Sequence, residues 1–218
     1  MSLIEAESLA DYGVAAILRN IPMDKMKPLA DAVVEGGVRL LEVTLDTKGA
    51  FSLIQQLSET FQGKAVIGAG TVLDEASART AIKCGARFIV SPHSDERVIQ
   101  AAKEEGGLSV AGAFTPTEIM DAIRYGADAV KLFPAAFAGP AYIRQIRTPL
   151  PRIPIMVTGG IHLSNMAAFL QAGADFVGVG SCLYTDELLN PAGYITIAEN
   201  ARKLTEKFSA EKRTPINN

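Results

Sequence analysis

The sequence predicts an α/β fold, a (β/α)8 barrel of the TIM-barrel class with a leading N-terminal helix. Three observations carry that expectation. A unit of about 20–25 residues recurs, in which an amphipathic stretch ends at Gly and a short apolar strand follows. Eight such strands can be counted in 218 residues, a length that accommodates a full barrel. The strands are apolar runs alternating with helices, as expected of parallel strands covered on both faces. An open doubly wound sheet is the alternative, but the glycine fingerprint of dinucleotide-binding folds is missing.

In chain order, residues 2–12 read as the leading helix, and strands are expected at 14–18, 38–44, 64–70, 87–91, 107–112, 128–133, 153–158 and 175–180. Helices are expected near 24–36, 48–61, 74–84, 94–105, 115–125, 140–147 and 163–172. The repeated join is visible in Cys84-Gly85-Ala86-Arg87-Phe88-Ile89-Val90 and in Ala172-Gly173-Ala174-Asp175-Phe176-Val177. Pro116 and Thr117-Glu118 fit a helix start after Thr115. A last amphipathic helix runs from Pro191 to about Phe208, and residues 209–218 read as a polar, frayed tail. Without a linker or composition break, residues 1–218 are expected to form a single domain.

The formal net charge is −3, which gives no basic footprint for nucleic acid. No apolar run approaches the roughly 20 residues of a membrane helix, and the N-terminus lacks a secretion signal. A cytoplasmic protein with reduced thiols at Cys84 and Cys182 is expected. His93 and His162 have no partners at metal-ligand spacing, so no metal site is expected.

Strand alternation then selects the chemistry. In strand six, Val130 and Leu132 suit the helix layer, which turns Ala129, Lys131 and Phe133 to the lumen. In strand two, Leu41 and Val43 point outward and Leu40, Glu42 and Thr44 inward. Lys131 and Glu42 thus share one lumen near the C-terminal strand ends, where barrel active sites lie. A desolvated amine is a nucleophile toward carbonyls, and a buried carboxyl beside it can move protons. The pair could also be a plain buried ion pair, but such pairs are weak evidence for stability.

The other strand ends add small or polar groups: Arg19 after strand one, Gly70-Thr71 after strand three, and Ser91-Pro92-His93 after strand four. Arg19 suits an anion. The turns Thr158-Gly159-Gly160 and Gly178-Val179-Gly180-Ser181, on strands seven and eight, suit a phosphate held by backbone N–H groups.

At these residues the chain resembles the 2-keto-3-deoxy-6-phosphogluconate / 4-hydroxy-2-oxoglutarate aldolase family, which includes phosphogalactonate aldolases. The resemblance spans about residues 12–205 and is carried by Leu41-Glu42-Val43-Thr44-Leu45, Gly68-Ala69-Gly70-Thr71-Val72-Leu73, Ser91-Pro92, Thr115-Pro116-Thr117-Glu118, Lys131-Leu132-Phe133-Pro134-Ala135 and Thr158-Gly159-Gly160-Ile161. It implies a class I aldolase, a homotrimer without metal or other cofactor, acting on a small keto acid phosphate. Lys131 would form a Schiff base and Glu42 would shuttle protons. Arg19, Thr71, Pro92 and Phe133 would shape the pyruvate end of the pocket. Gly159, Gly160 and Ser181 would hold the phosphate, with Thr158 nearby.

Three positions depart from the family pattern: Asp46 where Arg is usual, His93 for Gly after Ser-Pro, and Ala111 for Pro before Gly112. They bear on which keto acid is taken, not on the chemistry. A phosphate-binding epimerase or isomerase barrel, and a non-catalytic binder of sugar acid phosphates, are the rival readings.

Overall fold

The structure is a computed structural model that describes residues 9–213. Eight parallel strands close into a barrel in sequence order. They are β1 (Val14–Leu18), β2 (Leu40–Thr44), β3 (Val66–Gly70), β4 (Phe88–Val90), β5 (Leu108–Ala113), β6 (Ala129–Leu132), β7 (Ile155–Thr158) and β8 (Phe176–Val179). Closure comes from β1 pairing with β8, Ala16 opposite Val179. Each predicted strand is present, several of them shorter at one or both ends. The helices are α1 (Met23–Glu35), α2 (Ala50–Thr60), α3 (Glu75–Lys83), α4 (Glu96–Glu104), α5 (Pro116–Arg124), α6 (Ala135–Arg147), α7 (Met166–Gln171) and α8 (Pro191–Arg213).

Local chemistry starts the helices where the strands end. Asp74 caps α3 by accepting from the Ser77 amide at 2.8 Å, and Asp95 caps α4 through the Arg97 amide at 2.8 Å. Thr115 and Glu118 form a reciprocal capping box with Pro116 in the first turn of α5, as expected from sequence.

Three expectations need correction. Of the predicted leading helix, residues 2–8 lie outside the described residues, and Leu9–Tyr12 forms a 3-10 turn. The tail is not frayed at residue 209: α8 continues to Arg213, because its inner face docks on the barrel. Phe208 lies against Gly13, Thr205 Oγ1 donates to the Gly36 carbonyl at 3.1 Å, and Gln171 reaches Glu211 at 2.9 Å. Residues 214–218 of that predicted tail lie outside the described residues. Finally, α6 starts five residues before the predicted 140–147. A helical turn at Ala135–Ala138 precedes a kink at Gly139 (φ 75°, ψ 165°), after which Pro140 restarts the helix.

The outer faces of the strands pack on the helices through residues such as Leu41, Val43, Val130 and Leu132, all fully buried. The inner faces fill the lumen. A methyl group on Gly68 would overlap the Phe88 ring, and one on Gly70 would overlap the Glu42 carboxylate. Both glycines of β3 therefore clear space for a larger neighbour.

Candidate active site

A pocket of about 840 Å³ opens at the C-terminal end of the barrel. Arg19, Thr71, Pro92, Lys131, Phe133, Thr158, Gly159, Gly160 and Ser181 all line it, so strand alternation and turn composition bring these residues together as expected. Glu42 is the exception. It lies beneath the lining, fully buried, with its carboxylate against Gly70, the residue before pocket-lining Thr71.

Lys131 is 5% exposed, and its Nζ lies 5.3 Å from the centroid of the Phe133 ring. Neither oxygen of Glu42 has a hydrogen-bond partner, so the two side chains share the lumen without bonding directly. An unsatisfied buried polar group costs about 1–3 kcal/mol, and more when charged. Burial pushes the Glu42 carboxyl above the usual range; the charges of Lys131 and Arg19 oppose that rise and Asp46 adds to it. A carboxyl raised in this way holds its proton to higher pH than an exposed glutamate does, which is the direction a group that both takes and returns a proton needs. A costly unpartnered carboxyl in the same lumen as a nearly buried amine is weak as a stabilising device.

Arg19 is held at the rim. Its Nη2 donates to Thr71 Oγ1 at 2.7 Å, and its Nε lies 3.5 Å from Asp46 Oδ2. Thr71 adopts φ 55°, a left-handed conformation that costs a β-branched residue about 1–3 kcal/mol. That strain aims its hydroxyl at Arg19. The guanidinium is left half-exposed beside the pocket, a suitable anchor for a carboxylate.

On the other side of β8 from Arg19, Gly159 (φ 87°) and Gly160 (φ 75°) turn the chain out of β7. A Cβ on Gly160 would lie 2.6 Å from that of Ala136, so nothing larger than glycine fits. Among the described residues, the amides of Gly160, Ile161 and Ser181 donate to no protein group. They are donors free to meet an anion.

His93 does not line the pocket; it is half-exposed and sits 4.0 Å from Asp95. His162 lies ahead of the turn that leads into α7, whose N-cap is Asn165, and its ring is bonded to Ser164 at 2.8 Å and Asn165 at 3.1 Å. Asp46 pairs with Arg19 and its charge also raises the Glu42 carboxyl, and Ala111 is a buried strand residue opposite Val130. Among the described residues, no three His, Cys, Asp or Glu side chains gather as metal ligands.

Sequence reading missed the rim contributed by the loop after β8. Tyr184, Thr185, Asp186 and Glu187 line the pocket there, as does Asn20 after β1. The segment has no hydrophobic period and no motif. Tyr184, three residues after Ser181, was its one available signal: an aromatic ring with a polar tip just before the polar run Thr185-Asp186-Glu187.

Known proteins are similar to this chain in sequence and in fold. Residues 6–199 match the family described as KDPG and KHG aldolase. The 2-dehydro-3-deoxy-phosphogluconate aldolase of Pseudomonas aeruginosa is 32% identical over 203 residues, covering 91% of this chain and 92% of that protein. The 2-dehydro-3-deoxy-6-phosphogalactonate aldolase of Escherichia coli K12 is 34% identical over 170 residues, covering 78% and 83%. A KDPG aldolase from Legionella pneumophila, solved with pyruvate captured as a covalent carbinolamine, superposes with a TM-score of 0.81 at 28% identity, covering 88% of this chain and 93% of that one. In sequence and in fold, this chain belongs to the KDPG and KHG aldolase family.

Proposed function

We propose that Lys131 and Glu42 carry out class I aldol cleavage of a 2-keto-3-deoxy sugar acid phosphate, releasing pyruvate and glyceraldehyde 3-phosphate. The observation that carries this reading is the juxtaposition of a nearly buried amine with an unpartnered, fully buried carboxyl beneath one pocket. The free amine of Lys131 attacks the C2 ketone of the substrate. The carbinolamine loses water to give an imine, which when protonated accepts the electrons of the breaking bond. Glu42 removes the C4 hydroxyl proton, directly or through water. The C3–C4 bond breaks, the aldehyde leaves, and an enamine remains on Lys131. Glu42 returns the proton to C3, and hydrolysis frees pyruvate.

Arg19, Thr71, Pro92 and Phe133 bound the pyruvate end of the substrate. The amides of the Gly159-Gly160 and Ser181 turns take the phosphate, with Thr158 beside them. Binding so far from the reacting bond supplies orientation. The same chemistry on 4-hydroxy-2-oxoglutarate would yield glyoxylate instead of the phosphorylated aldehyde.

We also infer that the chain is one domain that assembles as a homotrimer in the cytoplasm. An exposed aromatic cluster supports the assembly: Phe137 is 85% exposed and lies 6.3 Å from Phe114, which stacks on Tyr142. Two free thiols suit a reducing compartment. Sedimentation of the purified chain tests the assembly.

Borohydride reduction in the presence of pyruvate tests the reaction. The adduct should appear on the peptide containing Lys131. Its absence, or its appearance on another lysine, overturns the assignment.

A further inference from the structure

β8 pairs with β1 only as far as Ala16 and Val179, and the chain turns away at Gly180, where the Leu183 amide closes a turn at 2.8 Å. The next groups on that edge of β1 are the Ile17 carbonyl and the Arg19 amide. In a longer parallel ladder both would bond to one β8 residue opposite Leu18. The Tyr184 hydroxyl stands in that residue's place. It donates to the Ile17 carbonyl at 3.0 Å and accepts from the Arg19 amide at 3.0 Å. One oxygen thus replaces a backbone N–H and a backbone C=O together.

The phenol lines the pocket, yet its single proton is committed to Ile17 and is not available to a substrate. Burial holds the hydroxyl above the usual tyrosine range, so it stays protonated and able to donate. The residue after Arg19 is also fixed from outside the sheet: Asn20 (φ 55°) donates its amide to Thr47 Oγ1 at 2.9 Å. The backbone that carries the Arg19 guanidinium therefore hangs on two side chains from other loops.

We propose that Tyr184 is a positioning residue, which splices the loop after β8 onto the free edge of β1 and thereby sets where the Arg19 guanidinium meets the substrate carboxylate. The inference rests on the reading of Arg19 as the carboxylate anchor. It also ties the loop that follows the Ser181 turn to the Arg19 side of the pocket.

The test is a cycle of wild type, Tyr184→Phe, Arg19→Ala and the double variant, read by steady-state cleavage and by pyruvate trapping. Tyr184→Phe should raise KM and the half-saturating pyruvate concentration about tenfold and change kcat less than about threefold. In the Arg19→Ala background it should change neither further. An equal loss in both backgrounds reduces Tyr184 to a structural role and overturns the proposal. A fall in kcat at unchanged KM, or no effect at all, overturns it as well. Failure of the wild type to trap pyruvate would sink the aldolase reading instead. In that case, or if the variant folds too poorly to assay, amide exchange at Arg19 decides. The wild-type amide should be protected and become faster-exchanging in Tyr184→Phe, and equal exchange in the two proteins overturns the proposal.

Discussion

Lys131 and Glu42 hang from β6 and β2, where both residues are paired with a neighbouring strand on each side and their side chains are 5% and 0% exposed. Arg19, Asp46, Tyr184 and Glu187 hang from loops at the rim, where single side-chain bonds and a half-exposed ion pair hold the geometry. The floor is rigid and costly; the rim is adjustable and cheap. Reaction type should therefore depend on the floor, and choice of substrate on the rim. Substitutions at the two levels should differ by orders of magnitude, and each of those below can break that division.

Lys131→Ala removes the nucleophile and should lower cleavage to the uncatalysed background, with no adduct on borohydride trapping. Residual turnover with trapping would move the chemistry elsewhere. Glu42→Gln comes next. It should still form the imine with pyruvate but slow cleavage about 10²–10⁴-fold, the range for loss of a general acid–base. Exchange of the pyruvate methyl protons should slow in parallel, and an unchanged exchange rate removes Glu42 from the mechanism.

The same substitution should stabilise the fold. The folded protein holds the Glu42 proton more tightly than the unfolded chain does, because burial raises the carboxyl above its ordinary value of 4.5. Wild-type stability contributed by this group is complete below that value and falls as pH rises through the folded pKa. Glu42→Gln lacks the loss, so its melting temperature should exceed that of wild type at pH 7, by about 2–4 °C per kcal/mol recovered. The gap should close below pH 4.5. A variant less stable than wild type at pH 7 would mean that Lys131 offsets more of the burial cost than the geometry implies.

Between floor and rim lies the glycine turn. Gly160→Ala places a Cβ 2.6 Å from that of Ala136 at a φ of 75°. The turn must shift, and its amides with it. Affinity for phosphorylated substrate should fall about 10–100-fold, while trapping with pyruvate alone, which has no phosphate, stays within about threefold. Equal losses on both would place the turn outside any phosphate site.

The floor was legible in the sequence because a period of two decides it. Once Leu41 and Val43 face out, Glu42 must face in, and Lys131 follows in the same way from Val130 and Leu132. The glycine turns were legible because the chain needs glycine at Gly159 and Gly160 whatever surrounds them. The rim was not legible. Tyr184 matters because β8 stops pairing early and exposes two backbone groups of β1, a tertiary event with no local signature. His93 follows Ser91-Pro92 at a strand end, a position that in sequence suits a pocket residue, but its ring lies half-exposed 4.0 Å from Asp95. The first turn of α6 was hidden for a similar reason: Gly139-Pro140 reads as a helix start, and the turn before it forms only because it packs above Gly159, whose carbonyl accepts from the Ala136 amide at 3.0 Å.

The rim itself should respond weakly. Glu187 is an exposed carboxylate, kept below the usual range by hydrogen bonds with Thr185 and the backbone, and it lines the same pocket as the Gly159-Gly160 and Ser181 turns. Glu187→Gln should lower KM for phosphorylated substrate about two- to fivefold at low salt and leave unphosphorylated analogues unaffected. An equal gain on both would assign Glu187 to the whole pocket rather than to its phosphate end.

Asp46→Asn should have the smallest effect, although Asp46 is the most conspicuous departure from the family pattern. Its ion pair with Arg19 is 3.5 Å long and about half-exposed on both sides, so it is worth less than about 1 kcal/mol. Thr71 still holds the guanidinium at 2.7 Å and Tyr184 still holds its backbone. The released charge should lower KM for the keto acid less than about fivefold, and the gain should vanish near 1 M salt, where screening is effective over about 3 Å. The loss of one negative charge should also ease Glu42 downward, because Asp46 is among the groups that raise its carboxyl. The acid limb of the rate profile should therefore move to lower pH. A higher KM in Asp46→Asn would reverse the hierarchy at the rim. It would make Asp46, and not Thr71 with Tyr184, the group that aims Arg19 at the substrate.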